Sequence, residues 1–185
     1  EVHGRARRIE LAEQLSARTK IYLDTNYWIS MRDAALGRPK TPSAARLFEA
    51  SARQKGLTFE VAFDLAASRA VGDPLRLTQV VSNLISNAVK FTSHGGVSVQ
   101  VRLERTASDA LRVNARVRDT GPGIPAELRE LVFTEGWSTK RPPAHGKRGI
   151  GLSLVRRLAE RQGGSATVGA AHGGGAEFTV VLPEA

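Results

Sequence analysis

The order in which the hydrophobic period changes along the chain narrows the fold more than any other feature. Residues 74–91 repeat apolar side chains with a helical period, opening on the turn signal Gly72-Asp73-Pro74, whose proline suits a first helical turn. Two Val-rich stretches that alternate with period two follow directly, at 96–105 and 111–119. A Gly/Pro turn, a short helix from Pro125, a flexible connection to about Arg148 and a helix over 149–162 come next. Strands near 165–168 and 177–182, separated by Gly173-Gly174-Gly175, close the chain. Upstream, residues 44–53 read as a helix that Thr41 or Ser43 could cap, and after Gly56 the alternation in LTFEVAF predicts a strand. This order does not build a doubly wound βαβ sheet. It predicts an α+β fold, a two-layer sandwich of three main helices on a mixed, largely antiparallel sheet.

Composition sets the outer bounds. The 185 residues are 41% hydrophobic and 24% charged, which is globular and long enough for a core without staples. With no Cys, disulfide frameworks, thiolate metal sites and a cysteine nucleophile are excluded. No apolar run approaches the roughly 18–20 residues that span a bilayer, and the first residues lack a signal peptide's apolar stretch. The expectation is a cytoplasmic domain, free or as the cytoplasmic part of a membrane-bound protein, with no direct membrane insertion of its own. The net charge of +9 raises the question of a polyanion. Lys140, Arg141, Lys147, Arg148, Arg156, Arg157 and Arg161 face only Glu160, yet almost no aromatic side chains stand among them to stack bases. Nucleic acid is therefore not the expected partner, and charge alone leaves a solvated basic face and a phosphate-facing one both open.

Three constellations carry possible chemistry. On the helix at 74–91, Leu77, Val81, Leu84, Ile85 and Ala88 form the core face, and Arg76, Asn83, Asn87 and Lys90 align in a stripe expected on the opposite face. Asparagine is a mediocre helix former, but an amide oxygen can ligand a hard cation and an ammonium can neutralise phosphate. In Asp119-Thr120-Gly121-Pro122-Gly123-Ile124-Pro125, a carboxylate at a strand end precedes two glycines that permit close backbone approach. Such a carboxylate can accept from an adenine amine, or simply cap a turn. In Gly146-Lys147-Arg148-Gly149-Ile150-Gly151-Leu152, glycines lead into a helix whose N–H groups could face phosphate. Position 154 is Leu and no strand precedes, so a dinucleotide fingerprint fails; no P-loop motif exists either.

Taken in order, these segments resemble the ATP-binding domain of sensor histidine kinases, within the GHKL ATPase superfamily. GDPLRLTQVVSNLISNAVKFT is similar to the asparagine box, DTGPGIP to the first glycine box and LVFTEGWSTK to the phenylalanine box. GKRGIGLSLVRRLAERQGG resembles the second glycine box, with Lys147 where the commoner pattern has Gly, and GGGAEFTVVLP the closing turn and strand. The resemblance covers roughly residues 44–185.

The resemblance implies ATP and Mg2+ as cofactors. By it, Asn87 would ligand Mg2+, Asn83 would line the site, Lys90 would touch a phosphate and Asp119 would read the adenine amine. Gly121 and Gly123 would let the backbone pass over the base. Phe133, Ser138, Thr139 and Lys140 would lie in a lid over the nucleotide, and Gly149, Gly151 and Leu152 would cradle the phosphates. Relatives that hydrolyse ATP carry a Glu general base four residues before the metal-binding Asn. Here Asn83 stands there, and a neutral amide cannot take a proton, so transfer to a partner histidine is favoured over hydrolysis. That histidine would sit on separate dimerisation helices, with a response regulator downstream. None of His3, His94, His145 and His172 has the surroundings of a phosphoacceptor, and a monomer is expected.

Residues 1–43 fit no part of that pattern and are read as an N-terminal appendage, with a helix over 7–18 and a strand over 20–24. KIYLDTNYWISMRDAALGR resembles the start of PIN-like nucleases, in which Asp24 would match a metal-binding aspartate. Two alternatives to the kinase therefore stand: a non-catalytic nucleotide-binding module of the same fold, and a metal-dependent nuclease fragment.

Overall fold

The structure, a computed structural model, describes residues 44–65, 74–137 and 150–183. The helix, strand and Asp24 expected within residues 1–43 lie outside these. Three α-helices are described, α1 (Ala44–Gln54), α2 (Pro74–Phe91) and α3 (Gly151–Glu160). The strands are β1 (Thr58–Leu65), β2 (Gly96–Arg105), β3 (Leu111–Asp119), β4 (Ser165–Ala170) and β5 (Ala176–Pro183). They form one sheet in the order β1-β2-β3-β5-β4. β1 and β2 are parallel, and every other neighbouring pair is antiparallel. The expected mixed α+β sandwich is the fold observed.

Period-two alternation puts Val97, Val99, Val101 and Leu103 of β2 on one sheet face with Val113, Ala115 and Val117 of β3 and Phe178, Val180 and Leu182 of β5. All three helices cover that face: α1 packs on β1 and α2, α2 on β2 and β3, and α3 on β4, β5 and α2. The other face carries Arg112–Glu104 and Arg118–Glu177 ion pairs at 3.0 and 2.7 Å. Such exposed pairs contribute about 0–1 kcal/mol each, so the fold rests on the helix-covered face. No described helix is long and apolar enough to cross a membrane.

Two local expectations are corrected. Val80 is fully buried on α2 as well as the predicted core face, and Asn83 and Asn87 are half-buried. The asparagines thus lie on the flank of α2 and not opposite its core face, because α3 packs there as a second partner. The helix expected from Pro125 is two 3-10 turns, Ala126–Leu128 and Leu131–Phe133. Such single 3-10 turns are common as connectors, and here the second one buries Val132 and Phe133 in the core.

Candidate functional site

The asparagine flank of α2 meets the start of α3. A Cβ on Gly151 would lie 3.8 Å from Asn87 Nδ2 and 4.0 Å from Asn83 Oδ1, so the first residue of α3 touches both amides. The N-terminal N–H groups of a helix lack intrahelical partners, and no side chain caps those of α3 at Ile150. Asn83 and Asn87 make no side-chain hydrogen bond among the described residues, which leaves the amides and the positive helix end side by side. Lys90 is exposed three residues on, its Nζ 4.8 Å from the centroid of the Phe91 ring. Leu152 packs half-buried against the core, fixing the entry of α3.

The Asp119 turn adjoins the end of α2. Asp119 is the last residue of β3, inside the sheet and opposite Val97, and it is 5% exposed. Its Oδ1 accepts from the Gly121 N–H at 2.8 Å and from the Ala176 N–H of β5 at 3.3 Å. Both donors go to one oxygen, so Oδ2 has no donor among the described residues. Burial raises the carboxyl's pKa above the usual range, while the two backbone donors pull it back. A Cβ on Gly121 would meet Asp119 Oδ1 at 2.9 Å and Phe91 O at 3.2 Å, which ties the turn to α2. Gly123 approaches Gly175 O, which a Cβ would meet at 3.0 Å.

The segment after the 3-10 turns is rooted in the core. Phe133, expected in a covering lid, is 5% exposed, with its ring 6.2 Å from Phe178 in an edge-to-face contact. The Arg156 guanidinium lies 4.0 Å above that ring, and its Nη1 donates to Glu130 Oε2 at 2.7 Å. That contact holds the Glu130 carboxyl below its ordinary range. Arg157 of α3 pairs with Glu135 at 3.3 Å. Phe133 thus anchors the stretch that ends at Trp137. Ser138, Thr139, Lys140 and Gly149 lie outside the described residues.

Sequence reasoning missed several contributors. Gly175 has φ +87, and a Cβ there would collide with the Asp119 carbonyl oxygen. The Gly173-Gly174-Gly175 run signals a tight turn but not which glycine meets Asp119. Thr92, fully buried, donates from Oγ1 to Ala88 O at 2.7 Å and closes the last turn of α2. Lys55 reaches that same turn from a position 34 residues before Val89, and nothing in the local pattern announces it.

A family profile described as histidine kinase-, DNA gyrase B-, and HSP90-like ATPase matches residues 72–185. The chain belongs to that family. It is 38% identical over 146 residues to hybrid signal transduction histidine kinase D of Dictyostelium discoideum, covering 75% of this chain and 9% of that protein. It is 41% identical over 144 residues to the virulence sensor protein BvgS of Bordetella bronchiseptica, covering 75% and 12%. With the aerobic respiration control sensor protein ArcB of Escherichia coli the identity is 39% over 137 residues, covering 71% and 17%. The chain thus spans less than a fifth of these relatives, which by name are a signal transduction histidine kinase and two sensor proteins.

Among solved structures, the catalytic domain of histidine kinase ThkA is similar with a TM-score of 0.64 and 25% identity, covering 91% of this chain and 99% of that one. Full-length ShkA in complex with AMPPNP is similar with a TM-score of 0.61 and 29% identity, covering 88% and 37%. The fold is that of the histidine kinase catalytic domain. The matches support no nuclease reading, and among the described residues no group of three or more His, Cys, Asp and Glu could hold a metal ion.

Proposed function

We propose that this chain is the catalytic domain of a two-component sensor histidine kinase, binding ATP with Mg2+ and transferring the γ-phosphoryl group to a histidine on separate dimerisation helices. The observation that carries the reading is that the Asp119 turn and the start of α3 both meet the same helix, α2. Asp119, whose Oδ2 has no donor among the described residues, lies beside the end of α2, and Asn87, Asn83 and the start of α3 meet about one to two helical turns away. An adenine amine fits that oxygen, and phosphates fit the positive end of α3 and Lys90.

Asn87 would hold Mg2+ as a single protein ligand. A small hard cation that takes its other ligands from phosphates and water suits a site whose described residues include no acidic cluster. Asn83 offers an amide where water activation needs a base, so a partner imidazole nitrogen is the better nucleophile. The N–P bond forms as the bridging oxygen–Pγ bond breaks, and ADP leaves. Gly121, Gly123, Gly149, Gly151, Ser138, Thr139 and Lys140 complete the proposed nucleotide contacts. Phospho-histidine would then pass its phosphoryl group to a response regulator.

The test is calorimetric titration of Mg-ATP into wild type, Asn87→Ala and Asp119→Ala, followed by phosphotransfer to a supplied phosphoacceptor domain. Micromolar-to-millimolar binding by the wild type alone, with label appearing on the acceptor, is expected. No binding by folded wild type refutes the reading. Binding without transfer to any of several acceptors favours the non-catalytic module instead.

A further inference from the structure

Helix α1 ends at Gln54, and Gly56, at φ +70, turns the chain into β1 as a left-handed helix terminator. Between them, Lys55 points its ammonium at the C-terminal end of α2. Nζ donates to Val89 O at 2.6 Å, Thr92 O at 2.8 Å and Lys90 O at 3.2 Å. An ammonium has three N–H donors, and each meets a carbonyl that the helix end leaves without an intrahelical donor. The contact also sets a positive charge at the negative end of the α2 dipole.

The clamped turn is the junction of the site. Lys90 belongs to it, Phe91 O and Thr92 Oγ1 border Gly121, and Asn87 lies just before it. A capping lysine local to α2 would follow any movement of the helix. Lys55 comes from the neighbouring element, so it fixes where the end of α2 stands relative to α1 and β1.

We infer that Lys55 is a positioning residue for nucleotide binding: by holding the last turn of α2 against the α1–β1 connection, it sets Lys90 and Asn87 at the distance from the Asp119 turn that a nucleoside triphosphate spans. The inference rests on the nucleotide reading of the site. It predicts that the clamp matters for the triphosphate end of a ligand and little for the base, because Asp119 is held separately by Gly121 and Ala176.

The experiment compares wild type, Lys55→Met, Lys55→Arg and Val113→Ala, all confirmed folded by urea melts. Val113→Ala lowers stability from a buried position near the start of β3, at the opposite end of the strand from Asp119. Mg-ATP is titrated by calorimetry and adenosine by chemical-shift changes. Lys55→Met is expected to weaken Mg-ATP about tenfold while adenosine stays within about twofold. Lys55→Arg recovers most of the loss, and Val113→Ala changes neither ligand. Combining Lys55→Met with Lys90→Ala should weaken Mg-ATP by less than the product of the single effects. Equal weakening of both ligands, or unchanged Mg-ATP affinity in folded Lys55→Met, overturns the inference while leaving the nucleotide site standing. No Mg-ATP binding by the wild type overturns the site and the inference together.

Discussion

Replacing Asp119 by Asn separates what this carboxylate costs the fold from what it gives the ligand. The two side chains are nearly isosteric, and the amide oxygen of Asn can accept from Gly121 and Ala176 as Asp119 Oδ1 does. Burial raises the Asp119 pKa above its unfolded value of 3.8. A carboxyl with a raised folded pKa contributes stability that is complete below the unfolded value and lost as pH rises through the folded one. Above that folded pKa the unliganded fold therefore holds a charge that burial disfavours. Asp119→Asn removes that charge and should leave the unliganded protein within about 1 kcal/mol of wild type, on either side.

Ligand binding moves the other way. With the Asn oxygen held by two backbone donors, Nδ2 takes the place of Oδ2 and presents N–H groups to the adenine amine, donor against donor. A hydrogen bond to a charged group contributes about 1.5–3 kcal/mol, so Mg-ATP affinity should fall roughly 10- to 100-fold. GTP, whose base offers an oxygen there, should gain relative to ATP. Wild-type ATP affinity should also weaken as pH falls through the raised Asp119 pKa, while Asp119→Asn shows no such dependence from this position. Calorimetry with both nucleotides at several pH values and a thermal melt of each protein measure all of this. ATP binding by Asp119→Asn equal to wild type, in a folded protein, would refute the reasoning.

Other substitutions probe the remaining walls of the site. Gly175→Ala puts a methyl group against the Asp119 carbonyl at a positive φ, and should destabilise by about 2–4 kcal/mol in urea melts; a loss under about 0.5 kcal/mol would contradict the close approach. Gly151→Ala adds a Cβ at ordinary contact distance from Asn87, so the melting temperature should hold or rise while Mg-ATP binding weakens several-fold. Thr92→Val removes the Oγ1 donor to Ala88 O in a fully buried position and should cost about 1 kcal/mol by the same melts. Asn83→Glu installs a carboxylate four residues before Asn87 and should raise acceptor-free phosphate release roughly tenfold; an unchanged rate argues that Asn83 does not face the reacting phosphate.

The sheet and its covering helices were legible because periodicity reports burial. Alternation along 96–105 is the observed alternation of buried and half-buried residues in β2, and Leu77, Val81, Leu84, Ile85 and Ala88 are all buried on α2. The placement of the asparagine stripe was not legible, since the period of α2 records its contact with the sheet but not the later arrival of α3 on its flank. Phe133 shows a related limit. Its motif marked it as near the site, yet only the tertiary contacts with Phe178 and Arg156 show that its ring is a core anchor.

The unread part of the site has a common physical character: it is made by main-chain groups meeting from distant segments. Asp119 is oriented by amides of Gly121 and of β5, and α2 is terminated by an ammonium from the end of α1. A backbone donor or acceptor exists at almost every position, so composition cannot mark the few that converge. What the sequence does mark is where a Cβ would obstruct such convergence, which is why glycines flagged the right neighbourhoods. Lys55 left no such mark, because a long flexible side chain reaches its carbonyls without demanding any particular residue near it. Two kinds of determinant follow. Substitutions at Gly151 and Gly175 act by filling space, whereas those at Lys55 and Asp119 act by removing a charge-assisted contact. Binding measurements resolved by ligand end should therefore sort them: adenosine affinity should follow the Asp119 turn, and triphosphate affinity the junction of α2 with α3.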